Sequence, residues 1–349
     1  MTRALWLLVC LWVPVAAQAQ MGIEADEISH RILRFEDLKG WAQDDQSEAL
    51  EVFLNTCPDM DSPDWRALCA LAQQRPDARS FFSLFFRPVL IESGSNALFT
   101  GYFEPELNGA IQPDARFRYP VYREPEIARM SNPWLTRREI ETGDYMPGKG
   151  FEIAWVDDPV ELFFLQIQGS GRILLPNGDV IRLGYGGSNG HEYRSIGVEL
   201  VRRGVYKASQ VSAEVIKNWV RRNPEDGKEL LFYNPGYVFF RKLKDLPSDK
   251  GPLGAMNRSV TALRTVAVDP KFVPLGAPVW IEKDGETPMR RLMVAQDTGS
   301  AIKGPQRADI FFGTGDAAGK AAGKLRDGGR VVVLLPIQRA FAMLEEITP

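Results

Sequence analysis

Two aspartates near the C-terminus, Asp297 and Asp309, stand in the stretch VAQDTGSAIKGPQRADIFFG, residues 294–313. The first opens an Asp-Thr-Gly-Ser string of the kind that carries the acid of an aspartic protease. That chemistry needs two carboxylates sharing one proton, so a single-chain enzyme needs two such loops. No second Asp-Thr-Gly or Asp-Ser-Gly occurs in the 349 residues, and the chain is far too long for the type that builds its pair from two small subunits. The string is therefore read as a loop rather than as a protease site.

The two acids stand twelve positions apart, and Gly299, Lys303, Gly304 and Pro305 between them make that loop. Asp297 ends one apolar run and Asp309 begins another, between Ala308 and Ile310-Phe311-Phe312. An acid that interrupts an apolar run is half-buried, and burial raises a carboxylate's pKa toward neutrality. Asp297 nearby pushes in the same direction, whereas Lys303 and Arg307 oppose it. A third acid, Asp269, follows Thr265-Val266-Ala267-Val268 and precedes Pro270. Aspartate is common at such turns, so Asp269 is read as structural.

Three upstream strings add polar groups, glycines and rings: Phe99-Thr100-Gly101-Tyr102-Phe103-Glu104-Pro105, Gln166-Ile167-Gln168-Gly169-Ser170-Gly171, and the run Gly184 to Gly197 containing Tyr185, Asn189, His191 and Tyr193. A sugar chain needs hydrogen-bond partners at its ring edges and flat apolar faces to stack on. Any one string would pass as a turn; three of them beside two acids point to a glycan. Thr100, Tyr102, Gln168, Ser170, Tyr185 and Asn189 are the candidate glycan-binding side chains.

The elements that must position these residues change in kind along the chain. Residues 26–92 read as helical, with apolar residues at helical spacing in 48–54, Ser62-Pro63 opening a second helix and Asp77 capping a third that carries Phe81, Phe82 and Phe85. Beyond about 94, short apolar runs broken by Gly, Pro and Asn predict strands at 97–103, 151–156, 160–168, 172–175 and 180–185. Helices return at 192–203, 212–222 and 225–232, followed by a strand at 237–243. After about 260 the chain reads as strands at 262–268, 277–282, 290–296, 308–312 and 330–335, with one helix at 316–326. Residues 247–252, Pro-Ser-Asp-Lys-Gly-Pro, read as a linker.

Composition limits the class. Apolar residues at 44% and aromatics at 10% support packed cores. A net charge of −3 offers no basic patch for nucleic acid. Two histidines, His30 and His191, exclude a His-rich metal site, and no Cys/His spacing resembles a zinc site, so neither a metal nor a cofactor is expected. At the N-terminus, Arg3 precedes a 14-residue apolar run, Ala4–Ala17, and an Ala-Gln-Ala site, which together describe a secretory signal cleaved after Ala19. Cys10 leaves with it. Cys57 and Cys69 remain in an exported chain and are expected to form a disulfide. The residues before Cys10, Leu7-Leu8-Val9, make a poor lipobox.

With these strings in place, the chain resembles the MltA family of lytic murein transglycosylases. Residues 255–336 are similar to a 3D domain, its three aspartates being Asp269 in AVDP, Asp297 in AQDTGSAIKG and Asp309 in ADIFFG. Residues 105–244 are similar to the family's inserted domain, through IQGSG, NGHEYRSIG and NPGYVFFR. The resemblance implies a mainly β fold with flanking helices: a double-psi β-barrel from residues 20–104 and 245–349, and a smaller β-rich domain inserted at 105–244, with a substrate groove between them. It implies cleavage of the β-1,4 bond from N-acetylmuramic acid to N-acetylglucosamine, a 1,6-anhydro-muramic product, Asp309 as the catalytic acid and Asp297 in support. The implied partners are peptidoglycan glycan strands and other cell-wall enzymes, in the periplasm of a Gram-negative bacterium. The family includes outer-membrane lipoproteins, from which the poor lipobox departs. Two other readings stand beside this one: a hydrolase on the same fold, and a peptidoglycan-binding protein without catalysis.

Overall fold

The computed structural model describes residues 28–345. The signal segment, its cleavage point and Cys10 lie outside the described residues. Three strands come first: β1 (Ser29–Ile32), β2 (Phe86–Glu92) and β3 (Leu98–Glu104). Six follow: β4 (Glu106–Ala110), β5 (Tyr119–Tyr122), β6 (Glu152–Val156), β7 (Gly171–Leu174), β8 (Val180–Ser188) and β9 (Val238–Lys242). The last six are β10 (Thr265–Val268), β11 (Pro278–Lys283), β12 (Met289–Asp297), β13 (Arg307–Thr314), β14 (Arg326–Asp327) and β15 (Gly329–Pro336).

These strands form two mixed sheets with helices on their flanks. The larger runs β1-β2-β15-β11-β12-β10-β13-β3-β14, and the smaller runs β5-β6-β4-β7-β8-β9. The larger sheet thus takes its strands from both ends of the chain and the smaller one from the middle. Closing a sheet into a barrel requires every strand to have two partners. Among the described residues, β1 and β14 each have one, so the paired strands make no closed barrel, in contrast to the double-psi barrel expected above.

Helices Ser47–Thr56, Pro63–Ala72 and Ala78–Phe85 cover the larger sheet. Their rings pack as a cluster: Phe53 lies 6.0 Å from Phe86 edge-on and 5.9 Å from Phe81 between centroids, favourable spacings for aromatic pairs. Asp77 caps the third helix by accepting from the Ser80 N–H at 2.9 Å. Ser62 makes no such bond, and Pro63 at the first helical position starts its helix instead. The Cys57–Cys69 disulfide is present, with Cα atoms 5.6 Å apart. It joins the end of the first helix to the body of the second.

Two segments also take a form other than the one read from the sequence. Residues 160–168 are not a strand: Pro159–Gln168 is a helix. Asp158 accepts from the N–H groups of Val160 and Glu161, Pro159 takes the first position, and Gly169 ends the helix with φ +77°, a left-handed conformation that glycine adopts without strain. A continuous apolar run fits a buried helix as well as a buried strand, and the end signals decide between them. The N-terminal segment is not all helix, since β1 and β2 form an antiparallel pair there.

Candidate active site

The two acids meet because of strand pairing. β10 lies between β12 and β13, parallel to the first and antiparallel to the second. Ala267 of β10 pairs with Asp297 on one side and with Asp309 on the other. Paired residues on neighbouring strands present side chains to the same face, so both carboxylates flank one small methyl group, 3% exposed. Alternation along β13 does the rest: Ala308 and Ile310 are fully buried in the core, which turns Asp309 to the opposite face. β3 runs parallel to β13 and sets Thr100 opposite Asp309 and Tyr102 opposite Phe311.

Asp297 is held entirely by donors. Its Oδ1 accepts from the N–H groups of Ala255 (3.0 Å) and Thr298 (2.9 Å), and its Oδ2 accepts from the Tyr102 phenol (2.9 Å). The Ala255 contact depends on Gly254, where an added Cβ would stand 2.7 Å from the Gln296 carbonyl and 3.3 Å from the Asp297 carboxyl carbon. Among the described residues Asp309 has a single donor: the Thr100 hydroxyl, 2.6 Å from Oδ1. Thr100 in turn accepts from Arg307 Nη2 at 2.8 Å, and Arg307 Nη1 is spent on the carbonyls of Leu98 and Ala308.

Burial raises both acids. For Asp297 it outweighs the three hydrogen bonds, and with the nearby Asp309 charge it brings the pKa to about 6. Burial likewise raises Asp309, against the Thr100 hydrogen bond and the Arg307 charge. The Tyr102 phenol is pushed well above its ordinary value, first by burial and then by the two carboxylates, so it stays a proton donor.

The acids open into a cleft of about 820 Å³ whose walls come from both sheets. Gln168, Ser170 and Tyr185 of the candidate binders line it, with Tyr185 53% exposed at the rim. Gln168 Oε1 accepts from the Phe103 N–H at 3.1 Å, tying the two walls. Tyr102 also lines the cleft. Thr100 is turned instead to Asp309 and Arg307. Asn189 does not reach the cleft: it is fully buried, its amide donates to the carbonyls of Leu135 and Pro235, and its Oδ1 accepts from the Tyr237 N–H. A buried polar side chain must find partners, and here the backbone supplies them all. Asp269 is 3% exposed and accepts from the N–H groups of Lys271 and Gly304 (3.1 and 2.9 Å), anchoring the far end of the 298–306 loop.

The sequence reading missed several cleft-lining residues: Arg137, Gln166, Tyr237, Ala255 and Asn257. Arg137, 1% exposed, is consumed by Glu141 and the carbonyls of Asn234 and Gly236. Gly254 beside a predicted linker was the one local signal for Ala255, since glycine marks close backbone approach. Gln166 stands in the Gln166–Gly171 string and Tyr237 in NPGYVFFR, though neither was chosen as a binder, and no local signal marked Arg137 or Asn257.

Comparison with known proteins agrees with this arrangement. The family model of the MltA specific insert domain matches residues 98–241, and that of the 3D domain matches 264–335. The membrane-bound lytic murein transglycosylase A of Vibrio cholerae is 35% identical over 247 residues, which are 68% of this chain and 64% of the relative. The aligned part thus spans just under two thirds of that relative's length. A crystal structure of a membrane-bound lytic murein transglycosylase from Agrobacterium tumefaciens superposes with a TM-score of 0.79 at 31% identity, covering 90% of this chain and 99% of that one. The crystal structure of E. coli MltA with bound chitohexaose superposes at 0.69 and 29% identity, covering 83% and 90%. Fold and site together define a two-sheet protein in which a 3D domain carries the acids and an inserted domain supplies the facing wall. The chain belongs to the MltA family.

Proposed function

We propose that this protein is a lytic transglycosylase of peptidoglycan. It cleaves the β-1,4 bond between N-acetylmuramic acid and N-acetylglucosamine and leaves a 1,6-anhydro-muramic end. The observation that carries this reading is the unequal holding of the two acids: among the described residues Asp297 has three donors on its oxygens, whereas Asp309 keeps one oxygen without a partner. Three donors occupy both oxygens of Asp297 and leave neither to deliver a proton; a half-buried carboxyl with one oxygen free of donors suits a proton donor.

In the proposed reaction, Asp309 gives its proton to the oxygen of the breaking C1–O4 bond, and N-acetylglucosamine leaves with a new hydroxyl. The muramic C6 hydroxyl attacks C1, forming the C1–O6 bond, and its proton passes to the Asp309 carboxylate. No water enters, and Asp309 ends as it began. Intramolecular attack reaches effective molarities of about 10⁵ M or more when well oriented, so a second carboxylate to activate water, as in ordinary glycosidases, is unnecessary. Asp297 stabilises the positive charge that develops on the sugar. Gln168, Ser170 and Tyr185 offer the glycan hydrogen-bond partners and a ring at the cleft wall. The chitohexaose held by the E. coli relative supports a sugar chain as the cleft's occupant. By the same reading the chain acts in the periplasm, on glycan strands and beside other cell-wall enzymes. No helix among the described residues is long and apolar enough to cross a membrane.

Mass spectrometry of fragments released from purified peptidoglycan tests the reading. Products ending in 1,6-anhydro-muramic acid are expected from the wild type. Asp309→Asn is expected to fold, to bind murein and to lose at least about 100-fold in cleavage. Products one water heavier would replace the reading with a hydrolase. Binding without release would leave a non-catalytic module.

A further inference from the structure

Arg307, Thr100 and Asp309 form a directed chain of hydrogen bonds. A guanidinium only donates. Its Nη2, 2.8 Å from Thr100 Oγ1, therefore occupies a lone pair of that hydroxyl. The hydroxyl has one proton of its own, and Asp309 Oδ1 at 2.6 Å is the acceptor it has. The polarity of the chain follows from the one member that cannot reverse: Arg307 to Thr100 to Asp309 Oδ1. A carboxyl proton on Oδ1 would point at an oxygen already donating toward it and would leave the hydroxyl proton without an acceptor.

We propose that Thr100 and Arg307 are positioning residues that place the acid proton of Asp309 on Oδ2, the oxygen without a partner among the described residues. The inference rests on Asp309 being the acid, and it assigns to Thr100 a task other than holding the glycan. Arg307 is itself locked, since its Nη1 is bound to the carbonyls of Leu98 and Ala308. The chain is thus built on backbone at one end and frees a single oxygen at the other. Both ends belong to the paired strands β3 and β13, in which Thr100 stands opposite Asp309.

The charged and titrating groups that bear on Asp309 come from four strands. Arg307 shares β13, Tyr102 lies on β3, Asp297 on β12, and Arg326 of β14 acts on Arg307. Thr100 and Arg307 both favour the ionised form of Asp309, so removing either raises its pKa. The acid then stays protonated to higher pH, but its proton is no longer confined to the oxygen that must deliver it.

The test is a pH profile of kcat and KM on purified glycan strands for wild type, Thr100→Val, Thr100→Ser and Arg307→Met. Thr100→Val is expected to lower kcat about 10- to 100-fold with KM changed less than about twofold, and to move the alkaline limb of kcat up in pH. Thr100→Ser keeps the hydroxyl and is expected to restore both kcat and the limb. Arg307→Met is expected to move the limb the same way, with a smaller loss of kcat. Infrared difference spectra of wild type against Asp309→Asn at low pH supply a readout that needs no turnover. The Asp309 carbonyl stretch, lowered by the Thr100 hydrogen bond, should rise in Thr100→Val. A rise in KM at unchanged kcat would make Thr100 a glycan contact and overturn the proposal. A kcat loss that serine does not restore, with the limb and the carbonyl stretch unmoved, would overturn it as well. The underlying reading fails separately, if Asp309→Asn turns over normally.

Discussion

A carboxylate at the end of a strand is cheap when solvated and costly when buried, and Asp297 is on the costly side. Its pKa stands at about 6 in the folded chain, against an ordinary 3.8. The folded state therefore holds this proton more tightly than the unfolded state. The resulting stability is fully present below about pH 4 and is lost as pH rises through about 6. The size of the loss is roughly 3 kcal/mol, and Asp309, raised in the same direction, adds to it. Urea unfolding of wild type and Asp297→Asn at pH 4 and pH 7.5 checks this. The asparagine variant should be the more stable at pH 7.5 and should lose that advantage at pH 4. An advantage equal at both pH values would show that Asp297 does not titrate between them. Strain of this kind at a reactive site is stability given up for chemistry.

At the scale of elements, β10 and the helices over the larger sheet decide how well the acids are held. β10 is four residues long and buried throughout, and its pairing on both sides brings Asp297 and Asp309 together. Arg264, one residue ahead of it, is buried against Asp44, whose carboxylate also accepts from the Leu292 N–H of β12. Arg264 also donates to Glu48 of the first helix at 3.1 Å, so that helix and the loop ahead of it are fastened to the two strands on which Ala267 and Asp297 lie. The disulfide ties that layer internally across a sequence separation of 12. Replacing both Cys57 and Cys69 with serine should lower stability by about 2–4 kcal/mol, since a loop of that length restricts the unfolded chain. The melting temperature of the double variant, with and without reductant, measures it. A melting temperature equal to that of the wild type would remove the bridge from the account.

At the scale of the molecule, the cleft exists because two sheets are held at a fixed distance. Glu104, fully buried at the end of β3, takes Arg172 of β7 at 2.8 Å and Arg182 of β8 at 2.9 Å. Thr314, at the end of β13, donates to the same carboxylate at 2.8 Å. Arg172 and Arg182 also donate to the Lys250 carbonyl, and Arg182 to that of Pro247, so the returning linker is fastened at the same point. Removing one partner of a buried pair leaves uncompensated charge and costs about 3–5 kcal/mol. Glu104→Gln should show that loss in urea unfolding, together with weaker murein binding as the walls part. Stability within about 1 kcal/mol of wild type would place the joint elsewhere.

Much of the chemistry was legible in the sequence because it is local. Asp309 between buried neighbours, Asp297 ahead of a glycine-rich loop, the cysteine pair and the Gln168–Ser170 turn all show in residue type and spacing. What tertiary structure alone decided is what those residues touch. Asn189 looks the same in sequence whether it meets a sugar or the backbone carbonyls that hold it here. Residues 160–168 carry an apolar run, Leu162 to Leu165, that suits strand and helix alike, and the end signals at Asp158 and Gly169 decide for the helix. The pairing of Ala267 with two acids, one 30 and the other 42 positions along the chain, follows from sheet order. So does the chain from Arg307 through Thr100 to Asp309, which joins residues about 200 positions apart. Side-chain type states what a group is able to do, and strand register determines which group it does it to.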